Sequence, residues 1–230
     1  MFTLKKSRNG WFVKKTNNSE GGLVMRFVFV TVSAFLVAVA RGQDEASFEQ
    51  DIAGVLSNST LLTSEEVTNR IWQAYNATND ELRLSAAIAK SAVEYQLYAT
   101  TADRSWADAS VRTLTNAIVC CAALSNDCRF AVCKVLSAGN SASLRRYMEA
   151  YQISTNVIND IASGRNVEVT NEFLVAVFRH YKLDGLDVLT ASRYIAGMSA
   201  AEMGWASVAS NFANQVSSPY RQEIYEFLEP

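Results

Sequence analysis

The chain has 230 residues, 49% of them hydrophobic, a formal net charge of -2, four cysteines, two prolines and one histidine. That length suits one domain or two small ones. The lone His180 excludes a centre of several histidine ligands, and any Ser-His-Asp or Cys-His arrangement would have to use that one ring.

In chain order, residues 1–24 are polar and basic without apolar period and read as a disordered upstream extension. Residues 25–42, MRFVFVTVSAFLVAVARG, read as a signal peptide starting at an internal methionine. Arg26 is the charged start, Phe27 to Ala40 the apolar run and Ala40-Arg41-Gly42 the small-residue cleavage site. The apolar run is shorter than the ~20 residues needed to span a bilayer. Cleavage after Gly42 would leave residues 43–230 as a secreted, extracellular domain. It would remove seven of the 21 basic residues and one of the 23 acidic ones, leaving 14 against 22, about -8. Such a chain has no electrostatic attraction for nucleic acid, and after signal cleavage none for anionic membranes, while self-repulsion favours solubility.

No proline lies between Gln43 and Ser218, and Ala, Leu, Glu, Arg and Gln are frequent. Because proline costs about 3 kcal/mol in a helix interior, this composition predicts an all-α multi-helix bundle of about eight to ten helices. Thr63-Ser64-Glu65-Glu66 has the form of a capping box before Val67, Ile71 and Tyr75, predicting a helix over 64–77. Asn79 caps a helix to about Thr100, and Asp103 one that runs through Trp106, Val111, Leu114 and Ile118 to Leu124. Asp127 starts a short helix to Leu136. Ser141 starts a long one whose Leu144, Tyr147, Met148, Tyr151, Ile158 and Ile161 line one face until Gly164. Thr170 opens a helix bearing Phe173, Leu174, Val177, Phe178 and Tyr181. Further helices are expected over 186–196 and 200–216, and Pro219 opens a last turn. The aromatic stripes read as ordinary core faces.

Asp51-Ile52-Ala53 and Ile88-Ala89 recur in order as Asp160-Ile161-Ala162 and Ile195-Ala196, and Thr63-x-Glu65 as Thr170-x-Glu172. Trp106-Ala107 answers Trp205-Ala206 across a deletion. The pattern suggests two related helical halves, 46–124 and 141–218, around a central cysteine-bearing hairpin.

All four cysteines, Cys120, Cys121, Cys128 and Cys133, lie in that hairpin. In a secreted chain they predict two disulfides, Cys121 with Cys128 and Cys120 with Cys133, or the crossed set Cys120 with Cys128 and Cys121 with Cys133. The rival reading, a four-thiolate zinc site, lacks a second ligand pair of suitable spacing, since Cys120 and Cys121 are adjacent. Asn58-Ser59-Thr60 and Asn76-Ala77-Thr78 are N-glycosylation sequons.

Nothing in the sequence announces catalysis. There is no G-x-S-x-G elbow, HExxH, Walker loop, GxGxxG or EF-hand pattern. His180 reads as a surface or interface residue. Asp184 reads as a helix cap, since Asp184-Gly185 and Asp187 lack the later ligands of a calcium loop. Arg145-Arg146 reads as a solvated face. No catalytic residue, metal or cofactor is implied. Two classes are left: a structural or assembly protein that associates with itself or with other secreted structural proteins, and a helical carrier of a small apolar ligand.

The segment Phe48 to Ser64, FEQDIAGVLSNSTLLTS, resembles the helix, AGVL-type turn and following helix of the globular units of spider silk fibroins. Ala/Ser-rich stretches such as Ala200 to Ser218 add to the likeness. The resemblance implies a spidroin-like or silk-gland secreted protein whose helical domains are stored soluble and associate in the fibre. The clustered cysteines, the short chain and the lack of glycine-rich or polyalanine repeats depart from that pattern, and no functional residues carry over.

Overall fold

The computed structural model describes residues 3–7, 10–14, 44–125, 127–164, 167, 169 and 171–228. The proposed signal segment, residues 25–42, and Thr170 lie outside them.

The chain divides into two compact units, residues 1–43 and 44–230. In the first, β1 (Thr3–Ser7) pairs antiparallel with β2 (Gly10–Lys14), in a register running from Thr3 opposite Lys14 to Ser7 opposite Gly10. Trp11, Phe12 and Val13 are strong strand formers.

The second unit is an all-α multi-helix bundle. Its described residues form α1 (Glu45–Leu56), α2 (Ser59–Leu62), α3 (Glu65–Tyr75), α4 (Asp80–Thr101), α5 (Arg104–Cys120), α6 (Cys128–Ser143), α7 (Tyr147–Ala162), α8 (Glu172–His180), α9 (Val188–Glu202), α10 (Ala206–Ala213) and α11 (Tyr220–Leu228). A single 3-10 turn, Ala122–Leu124, follows α5.

Short polar side chains start these helices by accepting orphan amides. Asp44 accepts from Ser47 N, Asn79 from Leu82 N, Asp103 from Ser105 N and Asp127 from Arg129 N. The cap of α3 is Ser64, which accepts from Val67 N, so the expected Thr63–Glu66 box is displaced by one residue. Asp187, not Asp184, caps α9 through Thr190 N.

Three other boundaries depart from expectation. The 127–136 helix continues to Ser143, and Ser141 is buried inside it rather than starting the next helix. The stop comes at Arg145, whose φ is 63°, with Arg146 N donating to Ser141 O at 2.9 Å. This is the left-handed helix closure that glycine usually serves, here made by arginine. Lys182, at φ 60°, ends α8 in the same way through Leu183 N to Phe178 O. Gly204, at φ 76°, breaks the expected 200–216 helix between α9 and α10.

Two helices act as hubs. The 22-residue α4 packs against α1, α3, α5, α6 and α8, whereas α9 packs against α6, α7, α10 and α11. Phe48, Ile52, Leu62, Ile71, Leu84, Ile88, Val93, Leu114 and Phe173 are buried around α4. Full burial of one such side chain stabilises by about 1.5–3 kcal/mol. Around α9 the core is finer grained, with Ala200, Ala201, Ala209, Ala213, Val216 and Ile224. The line of large side chains expected on α7 is not its buried face. That face is Ala150, Ser154 and Val157, and Met148 is 46% exposed. Small side chains let α7 pack between α6 and α9.

Glu65 and Glu172 each begin a helix, and Ile88-Ala89 and Ile195-Ala196 are each buried. The packing differs, because α3 lies on its successor α4 whereas α8 lies on α1 and α4.

Candidate functional site

The chemistry-bearing side chains of the interior fall into three groups around α4. In the first, Glu49 on α1 is buried beside Arg129 on α6. Glu49 accepts from Ser85 Oγ of α4 and from Asn171 Nδ2 at the start of α8, and from Arg129 Nη1 at 3.4 Å. Arg129 also holds Glu45, and grips Asp127 through Nε at 2.9 Å and Nη2 at 2.5 Å. One guanidinium thus serves three carboxylates and joins α1, α4 and α6, while Glu49 extends the link to the start of α8. Burial pulls the Arg129 pKa down, and burial, only partly offset by the Arg129 amide, pushes the Asp127 carboxyl up.

The second group is a hydroxyl and amide node. Ser91 Oγ lies 2.8 Å from Ser110 Oγ and 2.6 Å from the Tyr181 hydroxyl, and Asn140 Nδ2 donates to Ser110 Oγ at 2.6 Å. Among the described residues the Asn140 Oδ1 has no hydrogen-bond partner. Tyr181 stacks on Tyr95 with ring centroids 4.8 Å apart, and burial drives both phenol pKa values up. His180, expected at a surface or interface, is largely buried. Its Nε2 lies 3.3 Å from Ala92 O, and burial holds its pKa below the ordinary value.

The third group centres on Lys90. Its ammonium donates to Glu94 Oε1 at 2.5 Å and Thr113 Oγ1 at 2.7 Å, and sits 4.8 Å from the Trp72 ring centroid and 5.3 Å from that of Tyr75. Cation–π attraction and a carboxylate together compensate a charge with little water around it.

These groups hold helices together. A concavity between α6 and α7, lined in part by Phe130, Lys134, Val157 and Asp160, has space of only about 10 Å³, at most one water molecule. Sequence reasoning missed all three groups, although Glu49 carries a readable signal: an acid on the same face as Phe48, Ile52 and Leu56.

The four cysteines are free thiols, so the expected pair of bridges is not formed. Cys120 is exposed at the end of α5, Cys128 is half-buried, and Cys121 and Cys133 are fully buried. The pairing of Cys120 with Cys133 fails because one side chain faces solvent and the other the core. No group of three or more His, Cys, Asp or Glu among the described residues is arranged to hold a metal. Both sequon asparagines are exposed. Asn58 uses its Oδ1 to accept from the amides of Thr60 and Leu61, whereas Asn76 donates Nδ2 to Trp72 O at 2.9 Å. Asp184 is exposed, 3.6 Å from Arg179, and Arg146 pairs with Asp108.

No described helix is long and apolar enough to cross a membrane. Comparison of the chain with protein-family models, with curated proteins and with solved structures finds no match.

Proposed function

We propose that residues 43–230 are a secreted, non-catalytic helical protein of an extracellular material such as silk, working through self-association or association with other secreted structural proteins. One observation carries this reading: the interior Glu49 and Arg129, and Ser91, Ser110, Asn140 and Tyr181, bond to one another across helices, and Lys90 and Glu94 both bond Thr113 of the next helix. Side chains engaged in this way are ties, not reagents. The silk-like segment Phe48 to Ser64 and the acidic balance after Gly42 add support, since self-repulsion favours storage at high concentration. The exposed Asn58 and Asn76 would carry N-linked glycans on the secretory route.

The test is sedimentation of purified 43–230 across pH 5 to 8 and a range of salt. Concentration-dependent association under some of these conditions is expected. A monomer under all of them overturns the assembly role, and an apolar molecule released on denaturing extraction would favour the carrier reading instead.

A further inference from the structure

Two of the four thiols converge on one place. Cys121, the residue that ends α5, is fully buried, and its Sγ lies 3.7 Å from the carbonyl oxygen of Asp80, the first residue of α4. Cys133, also fully buried, stands one turn beyond Arg129 on the same face of α6. The Arg129 guanidinium on that face reaches Ser85 Oγ at 3.3 Å. Cys121 thus sits at the start of α4, and Cys133 lies one turn from a guanidinium that reaches Ser85 of the same helix, with α5 and α6 packed side by side. The charges agree with this placement: burial pushes both thiols up, and Cys121 adds to the rise at Cys133. Cys120 faces solvent. Cys128 is pushed up to about 11 by burial and by the neighbouring Asp127.

We propose that Cys121 and Cys133 close into a single buried disulfide when the chain folds under oxidising conditions, leaving Cys120 and Cys128 as thiols. In the cell this rests on the secretory reading; in the test below the oxidant is supplied. The Cys121 thiolate attacks one sulfur of oxidised glutathione and releases one glutathione thiolate. The Cys133 thiolate then displaces the second from the mixed disulfide. Two S–H bonds are lost from the chain and one S–S bond is gained. The two electrons reduce oxidised glutathione, and the two protons finish on its thiols. The exchange precedes burial, because the folded state leaves little thiolate at either residue.

The experiment refolds the full reduced chain in a glutathione redox buffer, blocks remaining thiols with N-ethylmaleimide and maps tryptic peptides without reduction. Trypsin cuts after Arg112, Arg129 and Lys134, so Cys120, Cys121 and Cys128 share peptide 113–129, and Cys133 sits alone in 130–134. The expected product is 113–129 bridged to 130–134 with two blocked cysteines. The bridge should survive in Cys120→Ser and Cys128→Ser and vanish in Cys121→Ser. A bridge confined to 113–129, a link that survives Cys121→Ser, or four blocked cysteines after refolding would overturn the proposal. The wild-type map alone separates a bridge within 113–129 from one to 130–134, so a poorly folding variant does not remove the test.

Discussion

The Tyr181 hydroxyl rests 2.6 Å from Ser91 Oγ, ninety positions earlier in the chain, and this contact ties the end of α8 to the middle of α4. It sits in a node that also holds Ser110 of α5 and Asn140 of α6. Tyr181→Phe keeps the stacked ring and removes one buried hydrogen bond, a loss of about 1–2 kcal/mol. A urea midpoint equal to that of the wild type would show that the hydroxyl contributes nothing to stability.

Arg129 compensates Glu45, Glu49 and Asp127 together. Arg129→Ala leaves buried carboxylates without their cation, and about 3–5 kcal/mol of stability should be lost. Glu49→Gln preserves shape and acceptor capacity on one oxygen and should cost less. Equal losses for the two variants, measured by urea unfolding, would contradict the assignment of Arg129 as the shared partner.

His180 makes stability depend on pH in a direction that can be worked out. Burial favours its neutral ring, and the carbonyls of Ala92 and Leu56 oppose that shift only in part. As pH falls through the unfolded value of about 6.5 the unfolded chain takes up a proton that the folded chain resists. The contribution is therefore complete above about pH 6.5 and lost as pH falls toward the lower folded value. His180 is the only histidine, so the difference between wild type and His180→Gln isolates this effect. Parallel stability profiles from pH 7.5 to 5.5 would refute it.

Gly197 lies inside α9, where helix propensity alone favours alanine by about 1 kcal/mol. A Cβ there would stand 2.7 Å from Ile224 Cδ1 and 3.1 Å from Phe212 Cβ. The Ile224 tip can swing aside; the Phe212 Cβ is fixed to the backbone of α10. Overpacking of this kind costs about 1–3 kcal/mol, so Gly197→Ala should lower the thermal midpoint by a few degrees. A raised midpoint would mean that α10 and α11 yield easily.

Helical class and most helix starts were readable because they rest on local chemistry. Asn79, Asp103 and Asp127 cap the helices they were expected to cap, each bonding to an amide two or three residues on. The buried line Phe173, Leu174, Val177 and Phe178 likewise follows from helical period alone. Sequence also carried the chain-wide facts that need no fold: a single histidine, two sequons, a proline-free span and the acidic balance after Gly42.

Other features were decided only by tertiary packing. Arg145 and Lys182 take the left-handed conformation without glycine. Such closures are strained for an L side chain and persist only when the helices on either side hold the chain there. The buried face of α7 went to Ala150, Ser154 and Val157 because its position between α6 and α9 suits small side chains, which no pattern of large apolar residues announces. Glu49, Arg129 and Asn171 come from three distant stretches and meet only when α1, α6 and α8 close around α4. A local window records residue types at fixed spacing, whereas burial and charge pairing depend on which helices become neighbours.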